Sequence, residues 1–279
     1  MNLSNLTVVL PLKISSIKID ALIRLLLNII KLKRQGVHNI VVLDASKYKT
    51  PVALISRYFK IYQHHVPLLC DYTPAIVKNS ILQVDLINEY ILFLDIDVLV
   101  TTSFLEHINQ DIKKKIRFNW YPVIFTNNSH SLLSMAKFSL VEEFRLNPSE
   151  IDQIGYTTGI QLFNFNFFHK LNGYCEKFKG YGCEDIEMLH RATAMDGLRS
   201  VESQTDDYYI DFRTKNISLL YGFRHFFYQL KSNHPESSMP IHFWHKRKNK
   251  SRYLTKRHEN DKILLDEMIN FDKKVQTKI

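Results

Sequence analysis

Through its N-terminal third the chain alternates short, continuous apolar runs with longer stretches whose apolar residues recur at helical spacing. Thr7-Val8-Val9-Leu10 is the first such run, and Pro11 is expected to end it. Ile17 to Lys33 follows, with Leu22, Leu25, Leu26, Ile29 and Ile30 at helical spacing and Gly36 as a stop signal. A second run, Asn39 to Leu43, closes on Asp44; a helix around Val52 to Phe59 leads to a third strand near Ile61 to His64. Thr73-Pro74 reads as a helix start, with Thr73 as N-cap and Pro74 in the first turn. That helix is expected to reach about Ile87, before Tyr90 to Leu94 forms a further strand. A strand covered on both faces loses its polar alternation, which is why these runs are continuous. Strands separated by helices of this length build a parallel sheet with helices on both faces. Ligands of such sheets bind beyond the carboxyl ends of the strands. Asp44 and Asp95 both stand at such ends and are expected to face one crevice.

The second half is less regular. Ile160 to Phe163 reads as a strand, Phe167 to Leu171 as a short helix, and Glu184 to Met195 as a helix stopped by Asp196-Gly197. Tyr208 to Phe212 alternates weakly, as a strand would. No repeat or low-complexity linker divides the chain, so one compact α/β domain over residues 1–245 is expected, with a basic, helical extension over 246–279. At 279 residues such a domain can bury a sizeable core.

The formal charge of +9 invites a nucleic-acid reading, but the basic residues gather in His245-Lys246-Arg247-Lys248-Asn249-Lys250-Ser251-Arg252, with no aromatics interleaved. A basic tail suits a phosphorylated donor, an acidic acceptor or an anionic membrane surface equally well, and no nucleic-acid partner is expected. Behind it, Ile263-Leu264-Leu265 and Met268-Ile269 are spaced like one apolar helix face, compatible with peripheral membrane contact or with packing on the domain. Cys70, Cys175 and Cys183 are too scattered for a disulfide framework or a zinc cluster, so free thiols are expected. Met1 to Leu12 lacks the pattern of a secretory signal, and Ala21 to Leu32 is interrupted by Arg24, Asn28 and Lys31 and is too short to span a bilayer. A cytoplasmic protein, peripheral on the inner face of the plasma membrane at most, is the expectation.

Three constellations carry chemistry. Leu92-Phe93-Leu94-Asp95-Ile96-Asp97 delivers two carboxylates from a buried strand; on an extended chain alternate side chains point the same way, so the two are expected to share a ligand. A hard divalent cation bridging a diphosphate uses such oxygens. The plainer reading is a solvated strand end, where Asp is common. Gly180-Tyr181-Gly182-Cys183-Glu184-Asp185-Ile186-Glu187 places an aromatic in a glycine loop before three acidic residues in a helix's first turn. Complementing the helix dipole would explain the acids, though not the loop. A positioned carboxylate there can act as a general base, with Glu187 the weaker candidate because it lies further into the helix. Pro240-Ile241-His242-Phe243-Trp244-His245 offers His242 or His245 as an imidazole ligand, or as a packed bystander.

Together these segments resemble the inverting glycosyltransferases of the glycosyltransferase-A fold. Pro11, Asp44, Lys78-Asn79 and Asp95-Ile96-Asp97 match the N-terminal pattern of the nucleotide-sugar transferase superfamily. Thr157-Thr158-Gly159, Asn172-Gly173, Gly180 to Asp185 and Arg191 look like the C-terminal galactosyltransferase signature. β-1,4-Galactosyltransferases, polypeptide N-acetylgalactosaminyltransferases and bacterial capsule polymerases share that signature. Tyr181 replaces the commoner Trp, and Cys183 stands where Gly or another small residue is frequent. The resemblance implies a mixed, mostly parallel sheet, a nucleotide-binding half over about 1–100 and an acceptor-binding half over about 101–245. It implies a UDP-sugar donor, a saccharide or glycolipid acceptor in surface-polysaccharide synthesis, and a divalent metal, Mn2+ in preference to Mg2+. Asp97 with His242 or His245 would hold the metal. Asp185 (or Glu184) would be the base, and Pro11, Lys13, Asp44, Lys78, Asn79, Asp95, Ile96, Gly159, Tyr181 and Gly182 would line the nucleotide-sugar site. A sugar-nucleotide-forming nucleotidyltransferase is the rival enzyme class, but Leu10 to Ser16 lacks the glycines of its phosphate loop. A non-catalytic carbohydrate-binding subunit is the third reading.

Overall fold

The computed structural model describes residues 3–13, 19–47, 50–67, 73–180, 182–201, 205–211, 214–245 and 256–277. In chain order the elements are β1 (Leu6–Leu12), α1 (Ile19–Arg34), β2 (Asn39–Asp44), α2 (Thr50–Phe59), β3 (Tyr62–His65), α3 (Pro74–Asn79) and β4 (Tyr90–Phe93). There follow β5 (Val98–Leu99), α4 (Thr102–Lys113), β6 (Phe118–Trp120), β7 (Val123–Thr126), α5 (Leu132–Ser139), β8 (Ile151–Gly155) and β9 (Gln161–Asn164). The chain closes with α6 (Phe165–Lys170), α7 (Glu184–Met195), α8 (Gly222–Lys231), β10 (Ile241–His242) and α9 (Arg257–Gln276).

The main sheet has the order β3-β2-β1-β4-β9-β6. Its first four strands run parallel, and β9 lies antiparallel between β4 and β6. Strand parity divides the core. Val8, Leu10, Val42 and Leu92 pack with Leu25, Ile29 and Phe104 of α1 and α4 on one face. Val9, Val41, Ile91 and Phe93 pack with Phe168, Leu189, Phe223 and Leu264 on the other. Both faces are covered, as the unbroken apolar runs require. A smaller sheet, β5-β10-β7-β8, packs Leu99, Ile124 and Ile241 on Met135 of α5. The expected mixed, mostly parallel α/β architecture is therefore present.

Three local expectations are corrected, and one left open is decided. Pro11 does not end β1, which continues to Leu12. The β4 ladder stops at Val9, and Leu94 N–H donates to Val9 O, so the N–H that Pro11 lacks faces the side where pairing has already ended. The helix after Pro74 stops at Asn79 and tightens into a 3-10 turn over Ser80–Gln83, where Ser80 Oγ donates back to Val77 O at 2.7 Å. Tyr208 lies in a 3-10 turn, because Tyr208 and Tyr209 both reach one buried cluster on α7 and α9, which successive strand residues cannot do. Phe212 lies outside the described residues, as do Cys70, Tyr181 and the basic run from Lys246 to Arg252. Finally, α9 packs on α7 with Asn260, Leu264, Met268 and Asp272 buried in one stripe, so the centre of its apolar face is committed to the core and is not available to a membrane. No helix among the described residues is long and apolar enough to cross one.

Candidate functional site

The Asp-x-Asp segment lies on a turn between β4 and β5 rather than on a strand, with Val98 N–H donating to Asp95 O at 3.0 Å. Strand parity therefore does not set its side chains. Asp97 is drawn to β10, which pairs antiparallel with β5 so that His242 stands opposite Val98, while Phe243 N–H donates to Asp97 O at 2.9 Å. Asp97 Oδ2 lies 3.3 Å from His242 Nε2 and 2.9 Å from His245 Nε2. The sequence could not choose between the two histidines, and the fold brings both. Burial works against the Asp97 carboxylate, but the two imidazoles outweigh it and hold the group well below its usual range.

One oxygen and two imidazole nitrogens, all within 4.8 Å of one another, make a donor set that fits a divalent transition ion. His242 is backed by the Phe125 ring at 4.8 Å, and a Cβ on Gly155 would come within 2.7 Å of that ring. The small residue at the end of β8 thus leaves room for the ring that backs His242.

A second cluster forms where α3 meets α7. Lys78, buried, ion-pairs with Asp185 and lies 3.7 Å from Glu184 Oε1 and 4.8 Å from the Tyr174 ring centre. Desolvation lowers the affinity of this lysine for its proton, but Asp185, Tyr174 and Glu184 together hold it well above the usual range. Glu184 is buried; desolvation first, then Asp185, pushes it up to about 7 against the pull of Lys78. Its Oε2 is buried without a hydrogen-bond partner. The Asp185 side chain is 24% exposed and rests against Gly159, where a Cβ would stand 2.8 Å from Oδ2. Gln161, fully buried and unremarked in the sequence, donates to Thr158 O and Asp185 O and accepts from the Tyr174 hydroxyl at 3.0 Å.

Asp95 joins the clusters. It is exposed, yet desolvation by the surrounding protein, then Asp97, pushes its carboxyl up to about 6; Lys78 and His242 oppose this and Asp185 adds to it. Its electrostatic neighbours come from both sides.

Other expected site residues have structural employment. The Asn79 amide accepts from Tyr174 N–H at 2.7 Å and donates to Tyr174 O and Glu176 Oε1, clasping the left-handed turn at Asn172-Gly173; it is committed there rather than to a nucleotide. Asp44 accepts from Ser46 N–H at 2.9 Å and from Gln63 Nε2 at 2.7 Å at the end of β2, shaping the loop there. Pro11 is half-buried near the end of β1, Lys13 is exposed just beyond it, and Ile96 packs partly into the core. Glu187 is taken by Arg191, which also donates to Gly173 O at 2.8 Å, so it is not placed to act as a base.

The loop before α7 is held from α9. Asn260 donates to Lys179 O and Gly182 O and accepts from Lys179 N–H, while Cys183 Sγ lies 3.2 Å from Asp261 Oδ1. Gly182 and Cys183 have φ of 91° and 81°, a left-handed region that costs a non-glycine residue about 1–2 kcal/mol. That is the physical reason a glycine suits position 183.

The profile of the glycosyltransferase-like family 2 matches residues 7–269. No curated protein sequence matches the chain. Among solved structures, glucosyl-3-phosphoglycerate synthase from Mycobacterium tuberculosis, in complex with Mn2+, UDP and glucosyl-3-phosphoglycerate, is 12% identical; the match covers 96% of this chain and 80% of that one, with a TM-score of 0.48. The mannosyltransferase PcManGT from Pyrobaculum calidifontis, in complex with GDP-Man and Mn2+, is 16% identical over 69% of this chain and 52% of that one, with a TM-score of 0.42. TarS 1-349 from S. aureus is 13% identical over 67% and 55%, with a TM-score of 0.41. The chain thus spans about half the length of the last two.

Proposed function

The chain belongs to the glycosyltransferase-like family 2, and from that premise we propose that it transfers a hexose or N-acetylhexosamine from a UDP-sugar to a hydroxyl of a saccharide or lipid-linked saccharide of surface-polysaccharide synthesis, inverting the anomeric carbon. The observation that supports the reading is that two clusters both act electrostatically on Asp95: three donors that could hold a cation on one side, and a lysine-held carboxylate pair on the other. Diphosphate departure and hydroxyl activation need those two functions within one sugar's reach.

Asp97, His242 and His245 would hold the divalent ion, Mn2+ in preference to Mg2+ because two of the three donors are imidazole nitrogens. Bound there, such an ion supplies positive charge against a leaving diphosphate. Asp95, open to the crevice, offers an acceptor for a ribose hydroxyl. Lys78 fixes the Asp185 carboxylate against Gly159, and Asp185 takes the acceptor hydroxyl's proton as that oxygen attacks the anomeric carbon. Glu184 Oε2, buried and unpartnered, would have to turn outward to accept from a sugar hydroxyl.

The test is thermal melting with UDP, with and without Mn2+, followed by a UDP-release screen across UDP-sugars and acceptor saccharides. UDP should stabilise only when the ion is present, by about 2.7 kcal/mol at roughly one hundred times its dissociation constant. Equal stabilisation in EDTA removes the metal from the reading, and no UDP release from any donor removes the reaction.

A further inference from the structure

Helix α1 carries one polar stripe. Arg24, Asn28 and Lys31 are all buried, and the great majority of buried polar side chains are hydrogen-bonded. Each reaches main-chain carbonyls of a distant segment. Asn28 Nδ2 lies 2.6 Å from Val98 O, 3.2 Å from Asp95 O and 3.4 Å from Ile96 O, the carbonyls on either side of Asp97. One turn earlier, Arg24 Nη1 donates to Phe243 O at 3.4 Å and Nη2 to Trp244 O at 3.1 Å, the two residues between His242 and His245. A planar guanidinium can span two successive carbonyls, whereas an ammonium is a point donor. The two gripped segments are also tied to each other by Phe243 N–H donating to Asp97 O and by the β5–β10 pairing. A single helical turn of α1 therefore fixes the backbone around all three donor side chains.

We propose that Arg24 and Asn28 are positioning residues that preset the geometry of the Asp97–His242–His245 cation site. The proposal rests on the reading of that cluster as a metal site. Lys31 supplies an internal control: it lies on the same stripe and is equally buried, but it reaches the carbonyls of Val141 and Glu142, away from the donors.

The experiment titrates Mn2+ alone into each purified protein, follows the free ion by electron paramagnetic resonance, and records each variant's melting temperature. Asn28→Leu and Arg24→Met should weaken Mn2+ binding by about 10–100-fold, the usual effect of losing an outer partner of a metal site. Lys31→Met should lower the melting temperature and leave Mn2+ affinity at the wild-type value. Should either apolar variant fail to fold, Asn28→Ser and Arg24→Lys, which keep a shorter or single donor, should give intermediate losses of affinity. Wild-type affinity in the folded Arg24 and Asn28 variants overturns the proposal and leaves the metal reading standing. A loss in Lys31→Met equal to theirs also overturns it, because the effect is then general loosening of α1. Wild-type protein that binds Mn2+ no better than Asp97→Ala overturns the metal reading itself, and the proposal with it.

Discussion

Glu184 and Asp185 are adjacent on the first turn of α7 yet live in different surroundings. Glu184 points inward, is pushed up to about 7 by desolvation and by Asp185, and keeps one oxygen unpartnered. Asp185 is partly exposed, paired with Lys78 and seated on Gly159. Asp185→Asn keeps the shape and removes the proposed proton acceptor, so turnover should fall by about 10²–10⁴-fold with UDP affinity retained. Glu184→Gln should chiefly weaken donor-sugar binding. Transfer rates and UDP-sugar affinities of the two variants decide the assignment; near-normal turnover in Asp185→Asn with loss in Glu184→Gln would reverse it. Gly159→Ala probes the same group from outside. Its Cβ would stand 2.8 Å from Asp185 Oδ2, so the carboxylate must shift. A misplaced base costs rate, about a hundredfold for displacements near an ångström. The expected result is lower kcat with an unchanged melting temperature, and full activity in Gly159→Ala would show that the carboxylate's seat does not matter.

At the scale of elements, what was legible in the sequence is what local pattern controls. The strands β1, β2 and β4 announce themselves because both faces are covered, and α7 because its acidic first turn and Asp196-Gly197 bracket it. Illegible were features set by partners far along the chain. Arg24, Asn28 and Lys31 show in the sequence only as interruptions of an apolar stretch; the positions of residues 95–98, 142 and 243–244 reveal them as clamps. Their spacing at i, i+4 and i+7 was the available signal, a stripe too regular for scattered surface residues. Asn79 matched a motif but serves a turn contributed by α6 and its successor loop. Helix α9 is the largest such case, because its stripe of Asn260, Leu264, Met268 and Asp272 faces the domain. Leu264→Ala should therefore cost about 2–5 kcal/mol in urea unfolding, as fully buried leucines do. A loss under about 0.5 kcal/mol, the range of surface substitutions, would mean that α9 is peripheral to the fold.

For the molecule as a whole, the buried cluster that joins α9 to α7 sets how the fold responds to acid. His190 is fully buried, with Nε2 3.1 Å from Asp272 Oδ1 and also 3.1 Å from Arg199 Nη2. Desolvation dominates, Arg199 adds to it, the bond to Asp272 opposes, and the imidazole is held down to about 4 from 6.5. Asp272 is desolvated too, but its bonds from His190, Arg199 and Tyr209 hold it far below the ordinary carboxylate range. Between about pH 6.5 and 4 the unfolded chain takes up a proton at position 190 that the native state refuses. Stability is therefore fully present above 6.5 and is lost as the pH falls towards 4, by on the order of 3 kcal/mol from this residue. Asp272 extends the loss below the unfolded carboxylate value. Two other acids have the opposite sign: Asp95 and Glu184 are raised to about 6 and about 7, so their contribution is present at low pH and lost as the pH rises through those values. The two effects overlap in the wild-type profile, and a difference measurement separates them. His190→Gln can still place an amide between Asp272 and Arg199 but cannot titrate. Urea unfolding at pH 7, 5.5 and 4.5 should show the variant less stable at pH 7, with a gap that narrows by about 2.4 kcal/mol by pH 4.5. A gap that stays constant would show that His190 does not refuse the proton, and the acid response would then belong to the carboxylates alone.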